Sequence, residues 1–96
     1  MKKQSANKAA RRYTVSGRVQ GVGFRAFAQH AADSAGVRGW AANRDDGSVE
    51  VYAVGTPEQL LEFSGYVRKG PRQADVRHVD EKEAAVEECI DFDIRY

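Results

Sequence analysis

Between Tyr13 and Ala35 the apolar residues change their period, and this change limits the folds open to the chain more than any other feature. Tyr13, Val15, Gly17 and Val19 alternate with Thr14, Ser16, Arg18 and Gln20, the pattern of a strand over 13–20 with one buried face. From Phe24 the spacing switches. Phe24, Phe27, Ala28, Ala31 and Ala35 fall on one helical stripe, and Gly36 suits the position that ends such a helix. The switch takes place across Gly17-Arg18-Val19-Gln20-Gly21-Val22-Gly23-Phe24-Arg25, which holds three glycines, two arginines and no acid. A helix usually opens on Ser, Thr, Asp or Asn, whose side chain satisfies the free N–H groups of the first turn. This helix opens on none of them, and it places Arg25 near the first turn, where the dipole disfavours a cation. An anion bound by the N–H groups from Val19 to Phe24 and by the Arg25 guanidinium reconciles both breaches. The residues alone equally allow a glycine-rich turn with Arg25 extended into solvent. The stretch lacks the Gly-Lys-Ser/Thr ending of a nucleotide-binding P-loop. It is no dinucleotide fingerprint either, because a hairpin and not a parallel sheet follows.

The remaining order is read from the same two periods. Val37 to Asn43 forms a strand, Arg44-Asp45-Asp46-Gly47 carries the Asp-Gly signal of a tight turn, and Ser48 to Val54 returns. Thr56-Pro57-Glu58-Gln59 opens a second helix with an N-cap, a proline at the first position and a capping box. Leu60, Phe63, Ser64 and Val67 make its buried stripe, Arg68 and Lys69 suit its C-terminal dipole, and Gly70-Pro71 stops it. Asp75 to Lys82 is a further strand, Glu83 to Glu88 an acidic connector, and Ile90 to Tyr96 a last alternating strand. The order β-α-β-β-α-β with an extra strand predicts an α+β fold. It is the ferredoxin-like, or split βαβ, two-layer sandwich, an antiparallel sheet covered on one face by two helices. That fold serves enzymes, nucleic-acid binders and sensors alike, so function must come from the site.

At 96 residues the chain is expected to form one domain. Charge divides it. Residues 1–12 carry Lys2, Lys3, Lys8, Arg11 and Arg12 with no acid, while the rest holds fourteen acids against ten bases. We read 1–12 as a flexible basic tail and 13–96 as the domain. The net acidic domain argues against a nucleic-acid partner. One cysteine, Cys89, excludes an internal disulfide and a multi-cysteine metal site. No apolar run approaches a membrane span, and the basic start lacks the apolar stretch of a secretory signal. A cytoplasmic monomer without cofactor or metal is the expectation.

Asn43 ends the second strand just before the Asp-Gly turn. It reads either as a turn residue, since Asn tolerates such positions, or as an amide that orients a water or substrate oxygen. Trp40 is expected in packing, His30 on an exposed helix face, and the acids between 80 and 93 on a solvated face. Glu87 and Glu88 beside Cys89 argue against a reactive thiol there.

The stretch Gly17 to Arg25 resembles the signature of the acylphosphatase family. Gly39-Trp40-Ala41-Ala42-Asn43 with Asp46-Gly47-Ser48-Val49-Glu50 is similar to its second signature. Lys69-Gly70-Pro71 and Phe92-Asp93-Ile94-Arg95-Tyr96 resemble it too, so the likeness runs from Tyr13 to Tyr96. Ala26 and Ala42 stand where many members carry larger side chains. The resemblance implies the ferredoxin-like sandwich and metal-free hydrolysis of small acyl phosphates, with water attacking phosphorus. It also implies inorganic phosphate as product and competitive inhibitor. It assigns Val19, Gln20, Gly21, Val22, Gly23, Phe24 and Arg25 to phosphate binding, and Arg25 and Asn43 to catalysis. The competing expectation is a non-catalytic anion- or nucleic-acid-binding ferredoxin-like module.

Overall fold

The computed structural model describes residues 8–96. Five strands and two helices follow in the order β1 (Ala9–Arg18), α1 (Phe24–Ala35), β2 (Arg38–Asn43), β3 (Val49–Gly55), α2 (Pro57–Lys69), β4 (Asp75–Ala84) and β5 (Phe92–Arg95). The strands form one sheet in the order β4-β1-β3-β2-β5. The first four run antiparallel to their neighbours, while β5 lies parallel to β2 with Gly39 opposite Phe92 and Ala42 opposite Arg95. This is the expected ferredoxin-like sandwich with its extra strand on the β2 edge.

Alternation decides which face each residue takes. Tyr13 and Val15 of β1, Ala41 of β2, and Val49, Val51 and Ala53 of β3 are buried with Phe24, Ala28, Ala31 and Ala35 of α1 and Leu60, Phe63 and Val67 of α2. The α1 face is mostly alanine, so the helix backbone can lie close to the sheet. The Tyr13 and Phe63 rings meet edge to face with centroids 5.8 Å apart. Across the sheet a second, smaller cluster joins Ala10, Trp40, Tyr52 and Val54. Residues 85–91 cross that face. The Tyr52 hydroxyl donates to the Ala85 carbonyl and accepts from the Glu87 N–H, and Gly39 N–H donates to Asp91 O at 3.0 Å. Trp40 is thus a packing residue, as its position suggested.

β1 ends at Arg18 and not Gln20, β2 starts and β3 lies one residue later than the sequence reading, and three further boundaries change more of it. The first strand begins at Ala9 and not at Tyr13, so residues 9–12 belong to the sheet and not to a tail; residues 1–7 lie outside the described residues. Arg12 fits there because its guanidinium reaches Glu50 Oε2 at 2.6 Å and lies over the Trp40 and Tyr52 rings. β4 extends to Ala84, taking Glu83 out of the connector and pairing it with Arg11. β5 starts at Phe92, leaving Ile90 exposed.

Candidate active site

Both ends of the 19–24 segment are anchored in the core. Val19 is 1% exposed and Phe24 2% exposed, and the glycines between them turn the chain. Gly21 and Gly23 have φ of 75° and 78°, the left-handed region that L side chains avoid. A Cβ built on either meets nothing within 4 Å, so what glycine supplies here is backbone conformation and not room. Gly23 is the N-cap of α1 and provides no side-chain cap, and the first turn holds no acid. The first intrahelical bond is Phe27 N–H to Gly23 O at 3.0 Å. The N–H groups of Phe24, Arg25 and Ala26 therefore have no partner within the helix. α2 begins differently, with Thr56 Oγ1 accepting from Gln59 N–H and Gln59 Oε1 accepting from Thr56 N–H.

A pocket of about 180 Å³ opens over the start of α1, lined by Val19, Gly21, Gly23, Phe24, Arg25, Ala26, Asn43, Ile94 and Tyr96. No Asp or Glu side chain is among them. Positive potential from the helix N-terminus and Arg25 meets walls free of Asp and Glu side chains, a setting that favours an anion. Arg25 is half-exposed at the rim. Its guanidinium donates to the Arg95 carbonyl at 2.8 Å and lies 4.6 Å from the centre of the Tyr96 ring, and these two contacts hold it in place.

Asn43, the last residue of β2, is exposed and pairs with Val49 across the hairpin. The turn beyond it is tied by Asp46, whose Oδ1 accepts from Ser48 N–H at 3.0 Å and Ser48 Oγ at 2.6 Å. Those two bonds hold the Asp46 carboxyl below its ordinary pKa. Arg44 N–H donates to Ser48 O at 2.9 Å. The hairpin end that presents the Asn43 amide is thus an ordered turn.

Of the residues singled out in the sequence, Val19, Gly21, Gly23, Phe24, Arg25 and Asn43 come together in this pocket. Gln20 and Val22 do not line it. Val22 packs against the core, and the Gln20 amide turns away to the Arg44 and Ser48 carbonyls. Sequence reasoning gave no role to Ile94, Arg95 and Tyr96. Only the parallel pairing of β5 on β2, with Arg95 opposite Ala42, brings Tyr96 level with Asn43, and no local pattern announces that pairing. Among the described residues, no three of His, Cys, Asp or Glu stand close enough to share a metal ion. Cys89 lies away from the pocket, and burial, with Glu87 second, pushes its thiol pKa up. No helix among the described residues is long and apolar enough to cross a membrane.

A family model described as Acylphosphatase matches residues 11–94. The chain is 56% identical over 86 residues to the acylphosphatase of Solibacter usitatus, covering 90% of both chains. It is 48% identical over 87 residues to that of Pasteurella multocida, covering 90% of this chain and 97% of the other. Among solved structures, an acylphosphatase from Coxiella burnetii superposes with a TM-score of 0.91 at 35% identity, covering 99% of this chain and 100% of that one.

Proposed function

The chain belongs to the acylphosphatase family, and from that premise we propose that it hydrolyses small acyl phosphates with Arg25 and the 19–24 loop holding the phosphoryl group and Asn43 aiming the water. The observation that carries this reading is the shared pocket, which Arg25 and its neighbours in the uncapped first turn of α1 line together with Asn43.

The chemistry asks for little beyond these groups. The leaving group is a carboxylate, the conjugate base of an acid with pKa near ~4, so no general acid need protonate it. Water attacks phosphorus, the bond between phosphorus and the acyl oxygen breaks, and its electron pair leaves with the carboxylate. A dianionic acyl phosphate and water give a carboxylate and dihydrogen phosphate, and the water's proton ends on a phosphate oxygen. Such transfers depend on positioning and charge stabilisation. Arg25 and the loop N–H groups supply donors for the phosphate oxygens. The Asn43 carbonyl accepts from the attacking water while its NH₂ donates to phosphate. Inorganic phosphate fits the same donors as a competitive inhibitor.

Hydrolysis of benzoyl phosphate followed by absorbance, with EDTA present, tests the reading. Arg25→Ala and Asn43→Ala are each expected to lower kcat by about 10²–10³ with unchanged far-UV circular dichroism. Arg25→Ala should also lose inhibition by phosphate. Near wild-type turnover in either variant removes that residue from the mechanism, and activity abolished by EDTA overturns the metal-free route.

A further inference from the structure

We propose that the Gln20 side chain is a positioning residue for Asn43, tying the phosphate loop to the end of the hairpin that presents the Asn43 amide. This rests on the reading of Asn43 as the water-aiming group and extends it to a residue outside the pocket.

Gln20 Nε2 lies 2.8 Å from the Arg44 carbonyl and 2.9 Å from the Ser48 carbonyl. A glutamine amide nitrogen carries two hydrogens, so both are committed. The two acceptors are not arbitrary. Arg44 follows Asn43 directly, and Ser48 precedes Val49, the residue paired with Asn43. One side chain therefore grips both strands at the point where the hairpin closes. Its own backbone lies between Val19, buried in the core, and Gly21, which lines the pocket.

The grip matters because the two halves of the site arise from strands that are not neighbours. The loop leaves β1 and Asn43 ends β2, with β3 between them. Among the described residues, the two Gln20 bonds are the side-chain hydrogen bonds that join residues 19–25 to residues 43–48. The turn has its own bonds, from Gly47 N–H to Arg44 O at 3.2 Å and from Arg44 N–H to Ser48 O. It needs no help to close, and Val49, paired with Val15 on one side and Asn43 on the other, sets the hairpin end beside β1; what the Gln20 bonds add is a direct tie from that end to the loop itself. Phosphate is held by Arg25 and the loop N–H groups, and the water by Asn43. A small drift between them misaligns the water without loosening the phosphate.

The test is a split in kinetic constants. Gln20→Met keeps the length and removes both donors. Its kcat on benzoyl phosphate should fall about tenfold or more, while KM and the inhibition constant for inorganic phosphate stay within about twofold, a binding result that also shows the variant is folded. Gln20→Ala should give the same split. In an Asn43→Ala background Gln20→Met should change kcat by less than about twofold, because there is no amide left to position. Full activity in Gln20→Met beside an inactive Asn43→Ala overturns the proposal and leaves the reading of Asn43 standing. So do effects that multiply in the double variant, or a loss of phosphate affinity as large as the loss of kcat. Full activity in Asn43→Ala alone overturns that reading and this proposal with it.

Discussion

Tyr13 buries its whole side chain between sheet and α2, with its hydroxyl 2.7 Å from Ser64 Oγ. Ser64 in turn donates to Glu81. Burial pushes the Tyr13 phenol up to about 12, with the Ser64 bond pulling the other way. The neutral phenol is the form the fold accepts, so its contribution is complete below pH ~10 and is lost as pH rises towards about 12. Urea midpoints should fall more steeply above pH ~10 than below it, where the raised Cys89 thiol already contributes a loss. Tyr13→Phe should show a shallower fall, not an absent one, because burial also raises the Tyr52 phenol. An unchanged slope in Tyr13→Phe would remove Tyr13 as the cause. At this scale the sequence revealed the residues that break a local rule. Arg25 at an uncapped helix start drew notice because its neighbours do not explain it, whereas Asn43 also suits the turn that follows it and stood out through the resemblance of Gly39 to Asn43 to a family signature. Glu81 did not, lying within a run of acids and looking solvated. It is half-buried, with Arg68 Nη2 at 2.8 Å and Arg11 Nε at 3.7 Å, partners on other elements that no spacing discloses.

The two helices make the comparison at the level of elements. α2 closes its N-terminus with a reciprocal capping box, and α1 leaves its own open beside the pocket. Thr56 starts α2 at the β3 end remote from the Asn43–Val49 pair, so its loss should be felt in stability alone. Thr56→Ala is expected to lower unfolding free energy by about 1 kcal/mol in urea titration, with kcat on benzoyl phosphate unaltered. A matching drop in kcat would show that the two ends communicate. The capping box was legible because every partner lies within four residues. The start of β1 was not. Ala9-Ala10-Arg11-Arg12 has no apolar alternation, and Arg12 is accepted only because Glu50, Trp40 and Tyr52 stand on neighbouring strands. The crossing of residues 85–91 over the open sheet face was hidden for the same reason, since it hangs on the Tyr52 hydroxyl.

For the whole molecule, element order and one tight turn were enough to reach the fold, while the place of β5 beside β2 needed the structure. That pairing gives the topology a temporal side. β2 and β3 meet across a short turn, but Ala10 of β1 pairs with Ala84 and Arg18 with Asp75. Sheets dominated by such distant pairs fold in about milliseconds to seconds, whereas helical bundles take microseconds to milliseconds. Stopped-flow refolding read by Trp40 fluorescence should fall in the slower range, and microsecond refolding would contradict the argument. The Arg25 guanidinium rests on the carbonyl of Arg95, 70 positions further along the chain. At ribosomal speeds of about 5–20 residues per second, roughly 4–14 s separate the synthesis of the arginine from that of its support. A nascent chain therefore carries the proposed phosphate loop without that contact until Arg95 has been made, and the proposed site is complete only after it.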